Sequence, residues 1–200
     1  MTTANGRTAD HPIDPLFLER FSPRAFTGET IPEADLLTIL EAARWAPSSY
    51  NSQPWRFLHA RRDTMHWQTF FDLLVPGNQK WVKDTAAIVY LVSSSTMTTP
   101  SGEVKPSRTH SFDAGTASAL LQLQAIRMGW HAHGMVGFDY DRAFVALNVP
   151  AGHRIEAVYA IGRKADPASL SEEQRGRETP NGRKPLSELV FEGGFPPREA

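Results

Sequence analysis

The chain contains no cysteine among its 200 residues. Disulfides, thiolate metal sites, iron–sulfur clusters and cysteine nucleophiles are therefore excluded. No apolar run approaches the ~20 residues that a membrane-spanning helix needs, and the polar first residues lack the apolar core of a signal peptide. We therefore expect a cytoplasmic protein that does not bind membranes, and any redox chemistry would require a bound organic cofactor.

An excess of one charge is also absent. The 21 Lys and Arg residues balance 22 Asp and Glu residues, for a formal net charge of −1. Without a broad basic field, nucleic acid is not an expected partner. The sequence also lacks the glycine-rich dinucleotide fingerprint, the P-loop and the H-E-x-x-H zinc motif. A nicotinamide cofactor would therefore be a transient substrate and not a resident group.

The hydrophobic patterns predict an α+β fold in one domain over residues 1–200. Apolar residues at helical spacing and continuous apolar runs alternate with turn signals. We expect a loose N-terminus over residues 1–12, a long loop over 94–110 and an irregular polar tail over 165–185. The predicted helices are 13–19, 31–46, 65–74, 111–130 and 139–147, and the predicted strands are 56–61, 86–93, 131–138 and 154–162.

A first polar cluster is formed by Arg20, Ser22 and Arg24. In an extended segment, alternate residues face the same side, so two guanidinium groups and a hydroxyl would converge on one anion. The alternative is a solvated turn with ordinary surface arginines. A similar choice applies to Asn181, Arg183 and Lys184, which form either a second arm around a phosphate or part of a solvated tail.

A second cluster, P-S-S-Y-N-S-Q-P-W over residues 47–55, gathers short donors and acceptors between two prolines. Such a turn suits the edge of a heterocycle, or it is the C-terminal turn of a helix. A serine nucleophile is disfavoured because no G-x-S-x-G elbow is present.

His131 and His133 would share one side of a strand, but no third metal ligand accompanies them at a recognisable spacing. Structural histidines are therefore favoured, and no metal site is expected. Gly134 and Gly137 would let a flat ligand approach the backbone closely.

These clusters, in this order, resemble the nitroreductase family of FMN enzymes. The resemblance covers residues 13–192 and rests on R-x-S-x-R, APSSYNSQPW, AAIVYLV, a long helix ending in MGW, GMVGFD and RKPLSELV. It implies a mainly antiparallel central sheet flanked by helices, in an intertwined homodimer with FMN bound non-covalently at the interface. It also implies that the C-terminal extension, residues 186–200, packs on the partner subunit.

The resemblance assigns cofactor contacts residue by residue. The phosphate and ribityl chain would be bound near the arginines, the pyrimidine edge near Asn78, and the N5 and O4 side near the backbone after the 131–135 strand. The 47–51 segment would come from the partner. The implied cofactor-binding residues are Arg20, Ser22, Arg24, Pro47, Ser48, Ser49, Asn51, Asn78, Met135, Val136, Gly137, Arg183 and Lys184. Trp81 and Asn181 depart from the family, which often has lysine at both positions.

The implied activity is hydride transfer from NAD(P)H through FMN to a nitroaromatic, a quinone or a similar small oxidant, by a ping-pong mechanism. The flavin carries this chemistry, so no catalytic side chain is required. The alternatives are another flavin chemistry on the same fold, such as a dehydrogenase, dehalogenase or flavin-cleaving enzyme, and a flavin-binding protein without activity. The 94–110 loop carries three basic residues, Lys105, Arg108 and His110. It would form either a basic lid over the ligand or a solvated connection without ligand contact.

Overall fold

The computed structural model describes residues 1–196, and its centre is a four-stranded antiparallel sheet. The elements in chain order are β1 (Thr3–Ala4), β2 (Arg7–Thr8), α1 (Leu16–Glu19), α2 (Glu33–Arg44), β3 (Trp55–Arg61), α3 (Trp67–Asp72), α4 (Pro76–Val82), β4 (Ala87–Ser94), β5 (Thr96–Thr98), β6 (Val104–Pro106), α5 (His110–Arg127), β7 (His131–Met135), α6 (Tyr140–Ala146), β8 (His153–Gly162) and α7 (Glu172–Arg175).

The strands of the central sheet lie in the order β3, β4, β8 and β7, and every neighbouring pair is antiparallel. β4 is an inner strand with helices over both faces, which explains why its apolar run is continuous and not alternating. The register shifts between Leu91 and Val92, where β4 pairs with β8. This arrangement confirms the α+β fold with a mainly antiparallel sheet that the sequence predicts.

Helices cover both faces of the sheet. α2 and α5 bury Leu36, Ile39 and Leu121 against one face, and α3, α4 and α6 bury a second apolar cluster, including Trp81 and Phe70, against the other. Each large side chain removed from water in this way stabilises the fold by about 1.5–3 kcal/mol. The two clusters make the sheet a rigid platform for the loops at its edges. Among residues 1–196, no helix is long and apolar enough to cross a membrane.

The N-terminus differs from the expected loose segment. Asn5 and Gly6 adopt φ angles of 53° and 70°, and the chain folds back so that β1 pairs with β2. Asn-Gly is the pair best suited to a two-residue hairpin turn, which needs positive φ at both positions. The Nη1 group of Arg7 then donates to the carbonyls of Leu18 (3.0 Å) and Arg20 (2.8 Å), which fastens the hairpin to the end of α1.

Other differences concern helix ends and loops. The predicted helix at 13–19 begins only at Leu16, after Pro15. The helix predicted over 65–74 ends at Asp72, before Pro76, and Pro76 then begins α4, which was not predicted and whose first turn suits the fixed φ and missing N–H of proline. The predicted 94–110 loop contains the β5–β6 hairpin, turned at Gly102 with φ 82°. The polar tail contains α7, capped by the Ser171 side chain, so it is not wholly irregular.

Candidate functional site

A basic cavity of about 640 Å³ lies where β7, the segment after α1, the N-terminal hairpin and the C-terminal tail meet. It brings together four of the predicted site residues, Arg20, Ser22, Arg24 and Arg183. It also contains residues that the sequence did not single out as site residues. The cavity lining is Arg7, Arg20, Phe21, Ser22, Arg24, His133, Gly176, Arg177, Thr179, Pro180, Asn181 and Arg183.

The convergence of the first cluster follows from an extended backbone. Residues 20, 22 and 24 are partly exposed, whereas 21, 23 and 25 are buried. The segment is held in this form by its pairing beyond β8, where Phe26 bridges Lys164 and Thr27 N donates to the Arg163 carbonyl at 3.0 Å. The alternation predicted for R-x-S-x-R is therefore observed.

Glu178 joins the C-terminal tail to this segment. Its carboxylate oxygens accept hydrogen bonds from the backbone N–H groups of Arg24 (2.9 Å to each oxygen) and Ala25 (3.0 Å), and the residue is buried. The Arg24 side chain in turn donates to the Arg177 carbonyl at 3.3 Å. These contacts wrap residues 176–183 over the cavity. No sequence pattern marks Glu178, which lies among other acidic and polar residues.

Four of the five arginines that line the cavity lack acidic partners among the described residues, and the fifth, Arg177, is paired with Glu173. Within residues 1–196, no salt bridge joins Arg7, Arg20, Arg24 or Arg183 to a carboxylate. Burial and then the nearby charge of Arg183 lower the pKa of Arg20 and of Arg7. Cations held together against their repulsion form a site that fits an anion such as a phosphate.

Of the two basic residues near the C-terminus, Arg183 and Lys184, only Arg183 lies at the cavity. The Nη1 group of Arg183 donates to the carbonyls of Asn181 (3.4 Å) and Gly182 (2.8 Å), which directs the loop around the cavity. Lys184 does not line the cavity, and its Nζ lies 3.4 Å from the Glu188 carboxylate on the exposed surface. The structure thus brings Arg183, but not Lys184, to the arginine cluster.

His133 forms part of the cavity wall. Its Nδ1 lies 2.8 Å from the Pro23 carbonyl, which only accepts, so Nδ1 carries the proton. Burial lowers the pKa of His133 to about 4, so the ring is neutral at pH 7 and Nε2 is an acceptor. In the part of the chain that the structure describes, no three His, Asp or Glu residues cluster as a metal site.

Trp81, at one of the positions where family members often have lysine, lies beneath this wall. Its ring centroid is 4.5 Å from that of His133 and 6.1 Å from that of Phe26. Only 3% of Trp81 is exposed. The residue therefore belongs to the core that supports the cavity and does not supply a charge to it.

Asn78 and Gly137 meet at the end of β7. Asn78 Nδ2 donates to the Gly137 carbonyl at 2.9 Å, and Val75 N donates to the same oxygen at 3.1 Å. The backbone N–H of Gly137 donates no hydrogen bond within the described chain. Met135 is buried and Val136 is 63% exposed, so this stretch passes from the core to the surface next to Asn78.

The expectation that Gly134 and Gly137 leave room for a flat ligand is wrong for the side where a Cβ would lie. A Cβ on Gly137 would be 2.6 Å from Asn78 Nδ2, and one on Gly134 would be 2.8 Å from the Tyr159 ring. Both glycines are therefore needed for packing within the chain.

The 47–51 segment lies elsewhere. Its residues Pro47, Ser48, Ser49 and Asn51 do not line the arginine cavity. Ser49 N donates to the Asp113 carboxylate at 3.2 Å, whereas Arg20 Nη1 donates to Gln122 Oε1 at 3.3 Å. Residues 113 and 122 of α5 are separated by two and a half turns, which places them on opposite faces and about 13 Å apart along the axis. One chain therefore holds the two predicted halves of the site apart.

The backbone of this segment is strained. Tyr50, Asn51 and Gln53 adopt φ angles of 52°, 53° and 47°, a region that non-glycine residues rarely occupy. The Tyr50 side chain is 87% exposed. Strained residues of this kind cost of order 1–3 kcal/mol each and cluster at binding sites. Within this strained turn, Tyr50 and Asn51 are exposed to solvent.

Comparison with known proteins gives the same family as the sequence motifs. A family model described as the nitroreductase family matches residues 18–74. A solved structure described as an oxidoreductase containing FMN is 47% identical and superposes with a TM-score of 0.95, covering 99% of this chain and 100% of that one.

Two further proteins are similar to this chain. A protein of Desulfovibrio desulfuricans, described as a candidate nitroreductase in complex with FMN, is 25% identical with a TM-score of 0.68, covering 92% of this chain and 100% of that one. An uncharacterized 15.4 kDa protein of Mycolicibacterium smegmatis is 40% identical over 82 residues. That match covers 40% of this chain and 55% of the length of the relative.

Proposed function

Because the chain belongs to the nitroreductase family, we propose that it is an FMN-dependent oxidoreductase that transfers hydride from NAD(P)H to a small oxidant such as a nitroaromatic or a quinone, by a ping-pong mechanism. The observation that carries this proposal is the cluster of four arginines without salt-bridge partners, Arg7, Arg20, Arg24 and Arg183, around a cavity beside β7. A phosphate-bearing cofactor supplies the negative charge that this cluster lacks.

The phosphate end of the site is assigned to Arg20, Ser22 and Arg183. Two guanidinium groups and a hydroxyl offer enough donors for a phosphate dianion, and guanidinium–phosphate pairs are often bidentate. A charged hydrogen bond of this kind contributes about 1.5–3 kcal/mol. Their combined donors are sufficient to retain FMN without a covalent link.

The ring end of the site is assigned to Arg24, Asn78 and the backbone of Met135, Val136 and Gly137. FMN, when bound, supplies the hydride chemistry, so the chain needs no acid or base of its own. Arg24 would place positive charge beside the pyrimidine edge and favour negative charge there. The free N–H of Gly137 would orient the ring, and the Asn78 side chain, fixed by its bond to Gly137, would meet the ring edge.

The complete site is proposed to form in a homodimer. Since the arginine cavity and the 47–51 segment lie against opposite faces of α5, a second copy would supply the segment missing from each cavity. The outward side of α5 carries the exposed residues Phe112, Gly115 and Ala119, a small and apolar surface suited to close contact between helices. Leu189, Val190 and other exposed apolar residues of the 186–200 extension would pack on the partner. Residues 197–200 lie outside the described residues.

The proposal is tested on the purified chain. Flavin released by heat should be FMN, with one equivalent per subunit, and anaerobic NADH or NADPH should bleach the bound flavin. A panel of nitroaromatics and quinones should then restore its colour in a separate half-reaction. Recovery of FAD, or of no flavin from folded protein, would contradict FMN binding. FMN that neither nicotinamide reduces would contradict the hydride transfer and leave another flavin chemistry.

A further inference from the structure

We propose that Arg7, on the N-terminal hairpin, binds the phosphate of the flavin nucleotide together with Arg20 and Arg183. This inference rests on the proposed function, since it concerns the same cavity. Arg7 lies outside the segment that carries the family resemblance, and it reaches the cavity only because Asn5 and Gly6 turn the chain back.

The Arg7 guanidinium is held in one orientation by the backbone. Its Nη1 group donates to the carbonyls of Leu18 (3.0 Å) and Arg20 (2.8 Å), and these two bonds fix the plane of the group. A guanidinium carries five donors, so two bonds leave three. The Nε atom is buried and has no partner among residues 1–196. Arg7 lines the cavity, so donors of its guanidinium that the two carbonyls leave free are available to a ligand oxygen there.

Arg7 also adds to a local excess of positive charge. Arg7, Arg20 and Arg183 lie close enough that their repulsion lowers the pKa of Arg7 and Arg20, in addition to the effect of burial. No described carboxylate forms a salt bridge with any of the three. A phosphate presents three terminal oxygens, and each can accept hydrogen bonds from a guanidinium. Three arginines therefore offer one guanidinium for each terminal oxygen, and their combined charge is more than enough to neutralise a phosphate dianion.

The competing role for Arg7 is purely structural, as a clasp between the hairpin and α1. The chain offers a matched control for that role. The Asn5 side chain also clasps the hairpin, donating to the Glu19 carbonyl at 3.2 Å. Asn5→Gly removes this clasp while keeping the positive φ of the turn accessible. It loosens the hairpin without removing a charge from the cavity.

The test compares the binding affinities of FMN and of riboflavin, which lacks the phosphate, for the full chain from which flavin has been removed. Arg7→Gln keeps a donor for the two carbonyls and removes the charge. We expect it to weaken FMN binding roughly tenfold to a hundredfold, as for the loss of a charged hydrogen bond, and to leave riboflavin binding unchanged. Arg7→Lys should keep much of the preference for FMN, and Asn5→Gly should keep all of it.

A second readout needs no flavin. Inorganic phosphate should raise the melting temperature of the flavin-free native chain and of Asn5→Gly, and should raise that of Arg7→Gln much less. Equal losses of FMN and riboflavin affinity in Arg7→Gln, or an unchanged phosphate effect, would overturn the assignment of Arg7. A native chain that binds neither flavin contradicts the proposed function itself, and the phosphate readout then decides whether Arg7 binds an anion.

Discussion

The carboxylate of Glu178 accepts the backbone N–H of Arg24 at 2.9 Å from each of its oxygens, across 154 residues of sequence. The bond couples the C-terminal tail to the segment that carries the first arginine cluster. The C-terminal tail has few buried apolar contacts that could hold it in place. The hydrogen bonds of Glu178 therefore do most to fix its position.

Replacement of Glu178 by glutamine should release the tail. The amide keeps the size of the side chain but offers only one acceptor, and its NH₂ group would face backbone donors. We expect a loss of stability of about 1–3 kcal/mol and weaker flavin retention, measured by urea denaturation and by equilibrium dialysis. Glu173→Gln is the control, because Glu173 is exposed and its carboxylate lies 3.5 Å from Arg177. Equal effects of both variants would argue against the coupling.

A methyl group at Gly137 should displace Asn78. The added Cβ would lie 2.6 Å from Asn78 Nδ2, so the side chain must move and its bond to the Gly137 carbonyl is lost. Gly137→Ala should cost about 1–3 kcal/mol, as for other overpacked sites, and should shift the absorption spectrum of bound flavin. Gly77→Ala, beside Asn78 in α4, has open space around the new methyl and should be neutral or slightly stabilising. A fully stable Gly137→Ala variant with an unchanged spectrum would contradict the prediction.

Because His133 is buried, the free energy of unfolding should decrease as the pH falls. Burial lowers its pKa from 6.5 to about 4, so the unfolded chain binds the proton more tightly than the folded one. The contribution is fully present above pH 6.5 and is lost as the pH falls through that value towards 4, by about 1–3 kcal/mol. In His133→Asn, which keeps a donor for Pro23, the free energy of unfolding should change less over this range. His66→Asn, at an exposed position, should leave the slope unchanged; a native slope in His133→Asn would refute the prediction.

Charge on the outward side of α5 should prevent dimerisation. Ala119 is exposed on this side, and Ala119→Arg would place a cation in the proposed helix contact. We expect monomers in sedimentation velocity and, with them, loss of FMN. Ala34→Arg puts the same charge on the exposed first turn of α2 and should remain dimeric. A native chain that sediments as a flavin-loaded monomer would remove the basis for the two-copy site.

Much of the fold can be predicted from local patterns. The central strands and the two long helices follow the spacing of apolar residues, because each faces a core on one or both sides. α4 was missed because Pro76, which follows the end of one helix, also begins the next. The N-terminal hairpin was missed although Asn5-Gly6 is a turn signal, since strands of two residues carry no alternation.

The site is less predictable than the fold. The alternation in R-x-S-x-R places its three polar residues on one side, and this needs only an extended backbone. The contribution of Arg7 and Glu178 depends on contacts with distant segments, which spacing cannot reveal. Gly134 and Gly137 also show the limit, because the sequence does not tell whether Tyr159 and Asn78 or a ligand will occupy the space beside them.

The placement of the arginine cavity and the 47–51 segment against opposite faces of α5 has a genetic consequence. In the proposed dimer, each site combines the arginine cluster of one polypeptide with the 47–51 segment of the other. Two mutant alleles, one damaged at Arg20 and one at Asn51, should then complement each other, because a mixed dimer rebuilds one site from two intact parts. For the same reason, neither allele should be fully dominant over wild type, since each mixed dimer keeps one working site.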